Sequence, residues 1–271
     1  MAITIIFGVP RAGKTALMTH FLNQALFDRD RYKLMKNEIV QKQKSGFAVS
    51  VPRHVVVCNY DIQGRKFGYS PRLSRRINPF RLGYSNDKVQ THFIEPFSVI
   101  GITEGQKYFN SRLSMYYPDW QSRWYEQHGH NNYDIYIDVQ RPKLIDVNIR
   151  ELACFIEIVS KKNITDKNGK ITAIKWLVRR FAGSAELEQY FNSGKKDTQT
   201  YDEEIITANY NVHDCYNSQM CKPKFYEGHF DKDFDTQEHT PLVEDIDGYI
   251  RYLQDSDDEL PKDFYNTKRS A

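Results

Sequence analysis

The stretch Ala2-Ile-Thr-Ile-Ile-Phe7, followed by Gly8-Val-Pro-Arg-Ala-Gly13-Lys14-Thr15, decides how this chain is built. The first six residues are almost continuously apolar and rich in β-branched side chains, the pattern of a strand buried on both faces. Gly8 ends that run at once. From Ala16 to Phe27 the apolar residues Leu17, Phe21, Leu22, Ala25 and Leu26 recur at helical spacing. Strand, glycine-bracketed loop and helix therefore follow in order. Gly8 to Thr15 fits G-x-x-x-x-G-K-[ST] without a mismatch and with both flanks the motif requires. Its glycines let the main chain pass close to a phosphate chain, so that successive N–H groups and the helix N-terminus converge on the anion. Gly8, Val9, Pro10, Arg11, Ala12, Gly13, Lys14, Thr15 and Ala16 are the expected nucleotide contacts. Lys14 would reach the β- and γ-phosphates, and the Thr15 hydroxyl would ligate Mg²⁺. A plain tight turn is the alternative, and the correct flanks weigh against it.

Three further apolar runs predict strands: His54 to Cys58, Phe97 to Ile102 and Asp134 to Val139. Between them lie helical patterns: Asp30 to Gln43, read as an exposed extension, Lys107 to Arg112, and Asp119 to Gln127. Strands alternating with helices predict a mostly parallel sheet. After a short helix near Val147 to Leu152, two more strands, Cys154 to Ser160 and Ile171 to Arg180, are joined through Thr165-Asp-Lys-Asn-Gly169. The Asn-Gly pair permits the positive φ angles of a tight hairpin turn. The predicted fold class is α/β, a P-loop domain with a mostly parallel central sheet flanked by helices plus an antiparallel β-hairpin. It spans residues 1–220, with an insertion at about 60–92 that is rich in Arg, Gly, Ser, Asn and Pro, and is followed by an acidic tail at 221–271.

Hydrolysis of a triphosphate also needs an acidic group at the end of a neighbouring strand, to hold the metal and polarise the attacking water. Val99-Ile-Gly-Ile-Thr103-Glu104 is the candidate. Glu104 is expected to be the general base and, with Thr15, to contact magnesium. The usual pair at such a position is Asp-Glu; Thr103 replaces the Asp and offers only a hydroxyl. A surface glutamate at a helix start, favoured by the helix dipole, is the plain alternative. The run Asp138-Val-Gln140-Arg141-Pro142 closes the fourth strand, where Gln140 could sense the γ-phosphate from beside the P-loop strand. Lys14, Glu104 and Gln140 form the expected catalytic set.

With 271 residues, 40% of them hydrophobic and 27% charged, the chain has apolar material for one large domain or two small ones. No apolar run approaches the roughly 18 residues of a bilayer-crossing helix, and no secretory signal is evident, so a cytoplasmic location without a transmembrane segment is expected. The four cysteines form no CxxC pair and read as buried small hydrophobes; His213, Cys215 and Cys221 match no zinc spacing. A net charge of +3 conceals a split. From Asp231 to Ala271 there are twelve acidic and five basic residues, so the preceding body is strongly basic. Such a body can attract nucleic acid or an anionic membrane surface. In the insertion, Arg72, Arg75 and Arg76 interleave with Phe67, Tyr69 and Phe80, a pattern able to hold phosphates and stack bases. A solvated loop is the bland alternative.

Four blocks in one order resemble the zonula occludens toxin (Zot) family: the P-loop, Val57-Cys-Asn59, Ile102-Thr-Glu-Gly-Gln106, and His128-Gly-His-Asn-Asn-Tyr-Asp134 running to Gln140. The later hairpin and Val212-His-Asp-Cys-Tyr216-Asn-Ser218 are similar to further blocks of that family, so the likeness covers roughly residues 1–220. It implies an ATPase like the inner-membrane assembly ATPases of filamentous phages, a branch of the FtsK/HerA-type motors, with ATP and Mg²⁺ as cofactors. It also implies nucleotide contacts by Gly8, Gly13, Lys14 and Thr15, an acidic role for Glu104 beside Gln106, and a sensor role for Gln140. A basic finger would come from a neighbouring subunit of a homo-oligomer, with Arg141 and Arg150 as candidates. Further implications are extrusion of single-stranded DNA and attachment at the inner face of the host membrane through a membrane-bound partner. Two other readings stand beside it. Thr103 suits a nucleotide-binding structural subunit with little hydrolysis. A metabolic P-loop kinase would need clustered lid arginines, whereas Arg179 and Arg180 sit at a strand end.

Overall fold

The computed structural model describes residues 2–26, 28, 30, 31, 33, 34, 37, 41, 44, 45, 56–60, 62, 74–76, 79, 82, 94, 97–112 and 119–216. The acidic tail, most of the insertion, and the Arg and aromatic side chains singled out in it lie outside the described residues. Eight strands are formed: β1 (Ile3–Phe7), β2 (Val56–Cys58), β3 (Ser74–Arg76), β4 (Val99–Ile102), β5 (Asp134–Val139), β6 (Ala153–Thr165), β7 (Ile171–Phe181) and β8 (Asp202–Ala208). They make one sheet in the order β3-β2-β4-β5-β1-β6-β7-β8. Every pairing from β3 to β6 is parallel, while β7 and β8 are antiparallel additions. This is the mostly parallel α/β sheet that the motif spacing predicts.

The P-loop strand is central, with β5 on one side and β6 on the other. All five of its residues are buried, as a strand covered on both faces must be. On one face α1 (Lys14–Leu26) lays Leu17 and Leu22 over Ile6, Val99 and Ile158. On the other, Ile3, Ile5 and Phe7 pack with Ile100, Ile137, Phe155 and Phe181. Each such fully buried side chain contributes about 1.5–3 kcal/mol relative to exposure. Three further helices complete the covering: α2 (Asp119–Glu126), α3 (Val147–Glu151) and α4 (Ser184–Asn192).

The structure departs from the sequence pattern in four places. Residues 107–112 do not start an α-helix: the 3₁₀ turn at Gly105–Lys107 is followed by buried Tyr108 and Phe109, Asn110 pairs with Ile145, and 3₁₀ geometry resumes only at Ser111 and Arg112. The hairpin strands are longer than expected, because their outer halves pair with each other beyond the parallel sheet. β8 was not expected at all. Its polar Asp202-Glu-Glu204 start hides the strand, which is held by β7 partly through Arg179–Glu203 (3.2 Å) and Arg180–Glu204 (2.8 Å) ion pairs. β3 falls inside the segment read as irregular insertion.

Past β8 the chain straps over α1. Tyr210 Oη meets His20 Nδ1 and Asn23 Nδ2 (both 3.1 Å), Val212 is buried, and Tyr216 reaches the far side, where its ring packs on Tyr60 and its backbone bridges Ile62.

Candidate functional site

The parallel pairing Phe7↔Val139 fixes where chemistry can occur, because it brings Gly8 and Gln140 out at the same edge of the sheet. Ligands of open α/β sheets bind at the carboxyl ends of strands. There the chain turns sharply, with Arg11 at φ 65° and Gly13 at φ 89°. A side chain at Gly13 would be strained by that angle and would also strike Lys161, whose Cδ lies 2.8 Å from the position of a Cβ. Lys14 Nζ curls back inside the loop and donates to the carbonyls of Gly8 and Val9, each at 3.2 Å. The first turn of α1 carries no acidic side chain, so its positive end is left to attract an anion.

Besides Glu104, a second acid stands next to this loop: Asp138. Thr103 is buried and its Oγ1 donates to Asp138 Oδ2 at 3.0 Å. Thr15 Oγ1 donates to the same oxygen at 2.7 Å, and the Glu104 backbone N–H donates to Oδ1 at 2.8 Å. The carboxylate that an Asp at 103 would have supplied is therefore present on the next strand, one side chain nearer the P-loop strand. Burial pushes the Asp138 carboxyl above the usual range, against the pull of its three donors. Because Thr15 spends its hydrogen on Asp138, its lone pairs remain for a cation. The chain's residues thus fit a metal–nucleotide group: a cationic lysine, a helix N-terminus, and a threonine oxygen backed by a buried acid.

Glu104 stands at the mouth of this cluster in the left-handed conformation (φ 58°). Its carboxylate accepts from Gln106 Nε2 at 2.9 Å and faces Lys107 at 3.5 Å. Asn59, the last residue of the Val57-Cys-Asn59 block, explains that block. Its amide accepts from Thr103 N–H and donates to Thr103 O and Tyr108 Oη, clamping the end of β4 beneath the site. Gln140 is exposed and shares with Gly8, Val9, Pro10 and Arg141 a cleft of about 500 Å³ beside the loop. Val9 stands open to solvent, whereas Ala16 is buried in α1.

Other residues singled out by the sequence lie elsewhere. Arg150 sits on α3 and donates through Nε to Ile145 O, its own preceding turn. The His128–Asp134 block lies at the opposite edge, where β5 begins; Asp134 there pairs with Arg31 and accepts from Ala2 N–H. Cys215 is buried and Cys221 is outside the described residues, among which no group of three or more His, Cys, Asp or Glu could hold a metal. No helix among the described residues is long and apolar enough to cross a membrane.

Sequence reasoning named Asp138 only as part of a strand and gave it no role. An acidic residue in the apolar run one position before the strand's end was the available signal. Lys161 and Trp176, which meet Gly13 from the outer ribbon, gave no signal, since their nearness depends on the β6–β7 register.

A search of curated proteins finds no match. Among solved structures, the N-terminal domain of zonular occludens toxin from Neisseria meningitidis aligns at 19% identity over 80% of this chain and 98% of that one, with a TM-score of 0.45. The genome packaging NTPase B204 from Sulfolobus turreted icosahedral virus 2, in complex with ATP-gammaS, aligns at 10% identity over 75% and 96%, with a TM-score of 0.35. The model of the Zonular occludens toxin (Zot) family matches residues 83–178. That stretch runs from β4 through Glu104, Asp138 and Gln140 into the hairpin, so the middle of the chain carries the Zot family's sequence pattern, as the order of its motifs predicts.

Proposed function

We propose that this chain binds ATP with Mg²⁺ in the Gly8–Thr15 loop and hydrolyses it as the motor of a filamentous phage or related mobile element. The observation that carries the reading is the Thr15–Asp138 hydrogen bond of 2.7 Å, which joins the loop's hydroxyl to a buried carboxylate on the adjoining parallel strand. A surface turn has no use for a buried acid at that place; a metal–phosphate site does. Thr15 and Asp138 would hold Mg²⁺, which would supply neutralisation of the phosphate charge when bound, and Lys14 would exchange the Gly8 and Val9 carbonyls for phosphate oxygens. Glu104, held at the mouth by the bond from its backbone N–H to Asp138, takes a proton from the attacking water. Gln140 reads the terminal phosphate from the cleft side.

The Zot-family match supports assigning this ATPase to assembly and extrusion of single-stranded DNA by a homo-oligomer, as does the basic body. Arg141 and Arg150 remain the candidates for a finger in trans; Arg141 lines the cleft beside its own chain's loop, and Arg150 is bonded to Ile145 O.

A second reading, nucleotide binding with little hydrolysis, is favoured by one observation: the Glu104 carboxylate is already engaged by Gln106 and Lys107. Two substitutions separate the readings. Under the motor reading Lys14→Ala abolishes ATP binding in calorimetry, while Glu104→Gln binds ATP normally and loses at least about 100-fold in turnover. Turnover equal in wild type and Glu104→Gln but above the Lys14→Ala control overturns the role of Glu104; tight ATP binding with wild-type turnover no faster than that control leaves the structural subunit.

A further inference from the structure

The P-loop has two flanks, and only one of them is used in the foregoing chemistry. On the β5 side stands Asp138; on the other side stands β6, which continues into the outer ribbon with β7. The loop rests directly on that ribbon. At Gly8 a Cβ would lie 3.1 Å from Ile158 O, and at Gly13 it would lie 2.8 Å from Lys161 Cδ and 3.1 Å from Trp176 Nε1. Between these two contacts the β6–β7 register slips at Ile158/Ser160, a bulge that re-aims the residues beyond it. Lys161 and Trp176 face each other across the strands, so both reach the same point of the loop.

Two features of this point call for a ligand. Trp176 is fully buried, yet its ring N–H has no hydrogen-bond partner, a costly state for a donor at the root of a loop. Lys161 crosses Gly13 without pairing with any carboxylate among the described residues. Its charge is felt by His213 on the strap, which is held below its ordinary pKa by burial first and by Lys161 second, with Asp214 pulling the other way. Among the described residues, a cation without an anion and a donor without an acceptor thus meet beside Gly13, just ahead of α1.

We infer that Lys161 is a second cation of the phosphate site, reaching from the outer ribbon across Gly13 to the phosphate oxygens on the side of the loop away from Asp138. This rests on the reading of Gly8–Thr15 as a nucleotide loop. Lys14 is committed inside the loop and Thr15 to the metal side; Lys161 serves the remaining flank and joins the ribbon to the bound polyanion. Trp176 backs it, with its indole N–H at the same glycine.

Calorimetric titration of the full chain with MgATP and MgADP tests this, using Lys161→Met, which keeps the aliphatic stem over Gly13, Lys161→Gln as a second neutral variant, and Lys161→Arg. Loss of one charge-assisted contact is expected to weaken both nucleotides by roughly ten-fold in the neutral variants, with Arg restoring affinity to within about three-fold. The gap should narrow as salt is raised from about 0.05 to 0.5 M, and the melting temperature without nucleotide should stay within about 2 °C of wild type. Wild-type affinity in both neutral variants, or a salt-independent loss that Arg does not restore, overturns the role of Lys161 while leaving the nucleotide loop standing. Absence of binding by the wild-type chain itself overturns both.

Discussion

At the residue scale, the site turns on which strand holds the acid. Thr103 stands where an Asp would commonly be, but its hydroxyl is bonded to Asp138, so one carboxylate serves the place where two would collide. Thr103→Asp would set a second carboxylate about 3 Å from the first, and two such groups in a buried site cannot both ionise. The expected outcome is destabilisation by about 1–3 kcal/mol at pH 7, with no gain in ATP turnover. Chemical denaturation should show the deficit shrinking toward pH 4, where the unfolded chain's carboxyls also take up protons and the proton held by the native pair no longer costs stability. A variant as stable as wild type at pH 7 would show that Asp138 does not occupy this position. Lys14 and Thr15 were legible in the sequence because their motif is contiguous. Asp138 was not, because its partners Thr15 and Glu104 are separated from it by 123 and 34 positions.

At the scale of elements, α1 is joined to the outer ribbon and the strap by His20. Its ring stacks on Trp176 with centroids 5.9 Å apart, and Nδ1 meets Tyr210 Oη. Burial lowers its pKa from 6.5 to about 4. The neutral form is therefore the native one, while the unfolded chain takes up a proton already near pH 6.5. Stability from this group is complete above that pH and is lost as pH falls toward 4, amounting to about 3 kcal/mol over the interval. His20→Gln keeps a polar partner for Tyr210 without titrating. The stability difference between wild type and His20→Gln should fall by that amount between pH 7.5 and pH 4 in denaturant titrations; a constant difference would mean that His20 is not held neutral. The strands with strong apolar runs, β1, β4 and β5, were legible in the sequence for the reason that they are buried on both faces. β8 escaped notice because an edge strand paired through Arg179 and Arg180 needs no apolar alternation. The expected helix at 107–112 failed because Tyr108 and Phe109 are both drawn into the core.

At the scale of the molecule, the parallel half of the sheet presents the loop, Asp138, Glu104 and Gln140 at one edge, and the cleft of about 500 Å³ opens beside them. A site so open on its Gln140 and Arg141 side suits completion by a neighbouring subunit. Light scattering with ATP and Mg²⁺ is expected to show a mass increase for wild type that Lys14→Ala lacks. A monomer under all conditions would argue against a ring motor. The mostly parallel architecture was legible because strands alternate with helices along the chain; the order of strands was not, since periodicity carries no record of which neighbours pair.

The strap from Tyr210 to Tyr216 gives this architecture a mechanical property. It leaves the last strand of the ribbon, grips the middle of α1 through His20 and Asn23, and is fastened on the other side at Ile62 and Tyr60. The helix that starts at the nucleotide loop is thus lashed at mid-length to both wings of the sheet. The strap's fastenings are the two hydrogen bonds to α1, the backbone bridge at Ile62 and the ring contact with Tyr60, so one short strap touches parts of the chain on both sides of the central strand.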